Sequence, residues 1–443
     1  MDFDQAIDRR ELIIGAGKLG ALAMVSVGLS SGAGAAPAAS PNPIANPDQF
    51  AAEDLVRRLW ATDRIRQARR IVGQNFATAH GVEVPDEAKA SFDAAIDEYV
   101  VNYLFKAAAY DPGHPRMVRL FMHGYNWNGH DVPSARMGGD NPDNIYRVAG
   151  IGHGRRYVLK GRPLGPVAPS ISLTLVANWG TSMTVQTLMY DELDRAPDGS
   201  FEITIDDQPA NGRKNHMTTV EDVRFLFVRD SLSDWAIQTP LDLQIACLDP
   251  GSTKLTEDQL AAEAAKRMIE EVPLYFWFSR MFSALAPNML LVPDGKAAFG
   301  GLVRQTSSRG NLVLADDEAF VATYDPSGAE YSAVALHDWW FRSIDAHRIL
   351  SSTTSDMAVR NEDGTVTVVV APRDPGVANW IDTNGLHHVQ FLVRWQGVDR
   401  LPTIRGSLVK VADLDPALPR VTAEQRMTEI KARRAAADRR TTV

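Results

Sequence analysis

Hydrophobic positions change period twice along this chain. Over 48–76 the apolar residues Leu55, Leu59, Trp60, Ile65, Ile71 and Phe76 recur at helical spacing, with arginines between them. The stretch 85–108 repeats the pattern with Phe92, Ile96, Tyr99, Val100, Tyr103 and Leu104. Two amphipathic helices that pack on something larger are predicted. From 144 to 248 the period falls to two, and strands are expected over 145–150, 156–160, 170–177, 184–190, 201–205, 223–228 and 241–248. Helical spacing returns over 256–271, where Thr256 and Gln259 have the spacing of a capping box. The aromatic run Tyr275, Phe276, Trp277, Phe278 and Phe282 then reads as core or a domain seam. A basic helix over 422–440 either frays or clasps the surface. The fold class is α+β, mainly β: antiparallel β-sandwich or jelly-roll-like sheets with an N-terminal helical segment and peripheral helices.

One stretch, 363–397, combines these signals. Asp363-Gly364 marks a turn, 365–371 is a β-branched strand, 373–385 is a polar loop and 389–395 is a returning strand. A fainter copy runs from Asp198 to Asp230. Asp198 to Asp363 is an offset of 165, Asn215 to Asn379 is 164 and Arg229 to Arg394 is 165. Two related β-hairpin modules are predicted from that shared spacing.

The same stretch carries a resemblance. APRDPGVANWIDTNG followed by FLVRWQG resembles the C-terminal signature of proteins grouped as domain of unknown function 1214 (DUF1214). DNPDNIYRVAGIGHGRRYVLKGR at 140–162 and FLFVRDSLSDW at 225–235 are similar to further blocks of that group. The first hairpin departs from the pattern by carrying His216 where an Asn-Trp pair is usual. The resemblance implies a β-rich fold and no particular activity.

Composition adds limits. With 45% apolar and 23% charged residues the chain is globular, and a net charge of -9 argues against a nucleic-acid partner. Cys247 is the only cysteine, so neither an intramolecular disulfide nor a cysteine metal cluster is available. Arg9-Arg10 before a Gly/Ala-rich apolar run resembles a Tat export signal, with Ala33-Gly34-Ala35 and Ala36-Pro37-Ala38 as cleavage sites. The organisation expected is a signal over 1–38, a helical segment over 39–110, a β-rich module over 111–255, a helical and aromatic connection over 256–300, a second β-rich module over 301–415 and a basic tail over 416–443. A periplasmic or secreted protein without stable membrane insertion follows, with the Tat machinery as its export partner.

The chain lacks a nucleophile elbow, a phosphate-binding loop, a zincin helix motif and a dinucleotide fingerprint, so no cofactor is predicted. What remains is a set of polar and aromatic loop residues. In the first reading an exported hydrolase or lyase acts on a bulky aromatic, terpenoid or glycan-like molecule. His123 or His130 moves the proton, Asp374 or Asp382 orients it, and Arg373 or Arg394 steadies negative charge. Tyr125, Trp127, Asn128, Asn379 and Trp380 would bind the substrate. His123 and His130 are seven apart rather than four, so only loop closure would let them share a divalent metal. In the alternative reading the same residues recognise a carbohydrate or hydrophobic ligand without catalysis. A purely architectural reading makes Arg373 and Asp374 an ion pair, Trp380 a loop plug and Asn379 a turn former.

Overall fold

The computed structural model describes residues 42–80, 84–127, 129–251, 253–294, 304–398 and 400–441. The export signal expected over 1–38 and Asn128 lie outside the described residues. Four helices come first: α1 (Pro47–Trp60), α2 (Asp63–His80), α3 (Asp86–Lys89) and α4 (Phe92–Ala109). Asn46 caps α1 by accepting from the Gln49 backbone N–H at 3.0 Å, with Pro47 in the first turn where its missing donor costs nothing. Arg57, Arg58, Arg66 and Arg69 pair with Asp54, Glu257, Asp63 and Asp97, so the basic run is a solvated face. The expectation of an amphipathic second helix is corrected for α4. From Ala95 to Ala109 every residue except Asp97 is buried, because the helix is enclosed by other helices and a sheet.

Nineteen strands follow among the described residues. The first eleven are β1 (Val118–Leu120), β2 (Tyr125–Trp127), β3 (His130–Val132), β4 (Asn144–Gly150), β5 (Tyr157–Arg162), β6 (Ser170–Val176), β7 (Thr184–Met189), β8 (Phe201–Asp206), β9 (His216–Thr218), β10 (Phe225–Ser231) and β11 (Asp242–Cys247). Helix α5 (Glu257–Ser283) opens on the capping box formed by Thr256 and Gln259. The last eight are β12 (Gln305–Val313), β13 (Glu318–Tyr324), β14 (Tyr331–His337), β15 (Ser352–Thr354), β16 (Val366–Ala371), β17 (Trp380–Asp382), β18 (His388–Gln396) and β19 (Ile404–Lys410), before helix α6 (Ala423–Arg439). No helix among the described residues is long and apolar enough to cross a membrane.

Strand order shows an internal repeat. One sheet runs β1-β4-β10-β6-β7 and a second runs β11-β5-β8-β9. Later in the chain one sheet runs β12-β18-β14-β15 and the other β19-β13-β16-β17. Adding eight to each strand number from β4 to β11 converts the first pair of sheets into the second. Even the parallel pairs correspond, β8 with β9 and β16 with β17. Each repeat is a two-sheet sandwich, and apolar residues from both sheets of the second, among them Phe320, Val334, Val368 and Phe391, fill its core.

The hairpin reading of 363–397 is corrected. β16 and β18 do not pair with each other; they belong to different sheets of one sandwich, with β17 between them in sequence. The same holds for β8 and β10. The two asparagines nevertheless do the same work. Both adopt left-handed backbone, with φ of 57° at Asn215 and 53° at Asn379. Asn215 Nδ2 donates to the carbonyls of Asp194 and Glu202, and Asn379 Nδ2 to those of Val359 and Thr367. Each of those acceptors is related to its counterpart by the same 165 residues. Asparagine tolerates positive φ better than other non-glycine residues and here knits its loop to two neighbouring segments.

Helix α6 clasps both repeats. Arg426 pairs with Asp374 of the second at 2.9 Å, and the Arg433 and Arg440 guanidiniums lie 3.6 and 4.2 Å from the Trp235 ring centroid in the first.

Candidate functional site: an arginine and aromatic cavity between the repeats

In the second repeat Phe391, Val393 and Trp395 point into the sandwich core, so Leu392 and Arg394 point out of it, towards the first repeat. Phe227 and Arg229 are their counterparts on β10, again 165 residues earlier. A cavity of about 140 Å³ lies where these four residues meet, completed by the loop 137–141, the turn 180–182 and the α5 aromatics Tyr275, Phe278 and Phe282. That volume is close to the roughly 150 Å³ that accommodates benzene in a protein interior.

Three arginines line it. Arg229 and Arg394 are only 7% and 6% exposed. Arg309 on β12 joins them and sits opposite Leu392 in the ladder. Phe227 lies opposite Val148, so Arg309 occupies the position that Val148 holds in the first repeat. Arg229 lies 4.1 Å from the Phe227 ring centroid and Arg309 4.8 Å from that of Phe282. Arg394 donates to the Gly139 carbonyl. Among the described residues the buried Arg309 Nε has no hydrogen-bond partner. Burial pushes the Arg229 guanidinium down to about 10. Burial also pushes Arg309 down to about 10, with the like charge of Arg394 adding to it. Buried cations crowded in this way are stabilised by an arriving anion.

The cavity wall is also strained. Phe121, Thr181 and Phe341 have φ of 52°, 59° and 62°, and all three line the cavity. Every other non-glycine residue with positive φ among the described residues is Asn or Ser. Bulky and β-branched residues resist this conformation, and such outliers gather where binding or chemistry takes place. Gly138 and Gly139, also at positive φ, approach so closely that a Cβ would overlap the rings of Tyr275 and Phe341.

Of the residues proposed from the sequence that are described, only Arg394 lines this cavity. His123 is buried beside His347, with ring centroids 4.4 Å apart, and lies 3.5 Å from Asp345 and 3.4 Å from Ser343 Oγ. Burial holds its pKa well below the usual histidine range, which makes it a poor base near neutrality. The Ser343 hydroxyl donates instead to Asp140 at 2.6 Å. His130 stands opposite Trp127 in the β2–β3 ribbon. Tyr125 and Trp127 donate to the Glu53 carboxylate of α1 at 2.9 and 2.8 Å. Arg373 is exposed and paired with Asp316. Asp374 is held by Arg426, and Asp382 caps the following turn by accepting from Asn384 N–H at 2.7 Å. Trp380 donates to the Ala371 carbonyl at 3.0 Å and lies under Arg426.

The structure therefore does not join His123 to the Asp374 loop. Arg426 binds Asp374, whereas Arg440 acts on His123, and their separation of 14 positions corresponds to roughly 21 Å of helix. Among the described residues no group of three His, Cys, Asp or Glu side chains is arranged to hold a metal. The residues missed were Arg229, Arg309 and the left-handed Phe121 and Phe341. Arg229 had a visible signal, because it stands at the repeat offset from Arg394.

Comparison with curated proteins gives no match. Among solved structures, an uncharacterized protein from Burkholderia cenocepacia superposes with a TM-score of 0.66 and 26% identity, covering 82% of this chain and 100% of that one. The VPA0106 protein from Vibrio parahaemolyticus gives a TM-score of 0.39 and 11% identity over 80% of this chain and 100% of that one. Residues 340–399, which include Phe341 and Arg394 of the cavity wall, match the family model of DUF1214, a protein of unknown function.

Proposed function

We propose that this protein, exported from the cytoplasm, binds a small organic carboxylate with an apolar body in the cavity between its two repeats. The convergence of Arg229, Arg309 and Arg394 on an aromatic-walled space carries the reading. The arginines match the planar, bidentate geometry of a carboxylate, and Phe227, Phe278 and Phe282 suit the rest of the ligand. The unpartnered Arg309 Nε and the strained wall support it. The binding reading is preferred to an acid–base relay through His123, since the carboxylates meant to orient that histidine are engaged elsewhere.

Calorimetric titration with benzoate and with neutral benzamide tests this. Benzoate should bind and benzamide should not. Arg394→Gln and Arg309→Gln should each weaken benzoate by about 10- to 100-fold, the value of one charge-assisted hydrogen bond. Equal binding of the two ligands, or benzoate binding that ignores both substitutions, would remove the arginines from the account.

A further inference from the structure

The charge of the cavity wall is unbalanced. Its lining residues include three arginines, Arg229, Arg309 and Arg394, against a single carboxylate, Asp140. That carboxylate is already engaged, since its two oxygens accept the Ser343 backbone N–H at 2.9 Å and the Ser343 hydroxyl at 2.6 Å. Asp294 also acts on Arg309, but it is exposed and does not line the cavity. Three positive charges against one negative leave an excess of two, which a ligand with one acid group would only half offset.

Each guanidinium is held against another residue of the wall. Arg229 lies over the Phe227 ring at 4.1 Å, Arg309 over the Phe282 ring at 4.8 Å, and Arg394 donates to the Gly139 carbonyl. Among the described residues the Arg309 side chain donates no hydrogen bond, and Arg394 donates that one alone. In the ladder Arg309 stands opposite Leu392 and Ser307 opposite Arg394, which sets the two arginines diagonally on neighbouring strands of the second repeat. Each guanidinium has five N–H donors, whereas a carboxylate has about four acceptor sites, so this pair by itself saturates one acid group. Arg229, on β10 of the first repeat, is then left over.

We propose that the ligand is a dianion, a small dicarboxylate with an apolar body, one acid group held by Arg309 and Arg394 and the other taken by Arg229. This rests on the anion-binding reading above and adds the second charge to it. Arg309 makes the difference: Arg229 and Arg394 alone, set against Asp140, would leave an excess of one and suit a monoanion. Aromatic walls strengthen both pairings, because little water competes for the charges, and they make an unmatched cation costly to keep.

The test titrates the intact protein calorimetrically with the three benzene dicarboxylates (ortho, meta and para), the monomethyl ester of each, and benzoate. Each ester keeps the ring and removes one charge. At least one diacid should bind about 10- to 100-fold more tightly than both its own ester and benzoate, the value of a second charge-assisted hydrogen bond. Arg229→Gln should erase that advantage and leave benzoate binding unchanged, whereas Arg309→Gln weakens benzoate and diacid alike. The comparison in the unaltered protein needs no variant, so it decides the matter even where Arg229→Gln does not fold. Diacids no tighter than benzoate, with benzoate bound, overturn the dianion and leave the anion site standing. A diacid advantage that survives in folded Arg229→Gln overturns the assignment of the second acid group. Absence of binding by benzoate and diacids together overturns both readings.

Discussion

The two sandwiches share eight strands, a left-handed asparagine and an outward arginine near a strand end, yet one of their differences places charge at the cavity: Val148 in the first has Arg309 as its ladder counterpart in the second. They differ too in what covers them. The first merges its core with the N-terminal helices and α5, whereas the second keeps a core of its own. The shared asparagine bonds only to its own repeat and is architectural. The shared arginine faces the other repeat from both sides, and the unshared Arg309 gives the cavity its lopsided charge. The repeat thus brings one arginine from each sandwich to the cavity, and Arg309, without a counterpart, is the third.

Breaking the shared element should have the largest effect. Asn379→Ala and Asn215→Ala each lose two side-chain hydrogen bonds and force alanine into a left-handed backbone. Each should cost about 3 kcal/mol in denaturant unfolding. The glycine variants keep the permitted φ and should cost about 2 kcal/mol, because only the bonds are lost. A large effect at one asparagine and none at the other would break the equivalence of the repeats.

A smaller effect sharpens the asymmetry, because Lys106 lies under the first repeat alone. Its amine is held near 7 in the folded protein against 10.5 for the free side chain. Between those values the unfolded chain binds more protons, so this group makes stability rise as pH rises through the folded value. From pH 7 to pH 9 the rise should be about 2 kcal/mol greater in the unaltered protein than in Lys106→Met. Paired urea melts at the two pH values measure it, and parallel slopes would mean that the amine is not depressed.

Much of the fold was legible because its signals are local. The Thr256 capping box, the period-two strands and the basic C-terminal helix depend on neighbours in sequence. Strand partnership does not: the alternation of 366–371 and 388–396 marks two strands and is silent about which sheet takes each. Asp338 and Arg342 have the four-residue spacing of a helical ion pair, and they pair at 2.6 Å, but in an irregular turn. Adjacent residues of a strand face opposite sides, yet His387 precedes β18, and the rings of His387 and His388 both reach the Glu87 carboxylate at 3.1 Å. The site was harder to read, since its residues come from both repeats and a helix between them. Arg394 was found by its position at the end of a strand. Arg309 has no counterpart in the first repeat, so no repetition marks it.

The most direct test of the anion site is a crystal soaked with 4-bromobenzoate and measured at the bromine absorption edge. An anomalous peak in the cavity, with the carboxylate oxygens against Arg309 and Arg394, is the predicted result. A protein whose cavity stays empty, or a bromine seated only on the surface, would contradict the account.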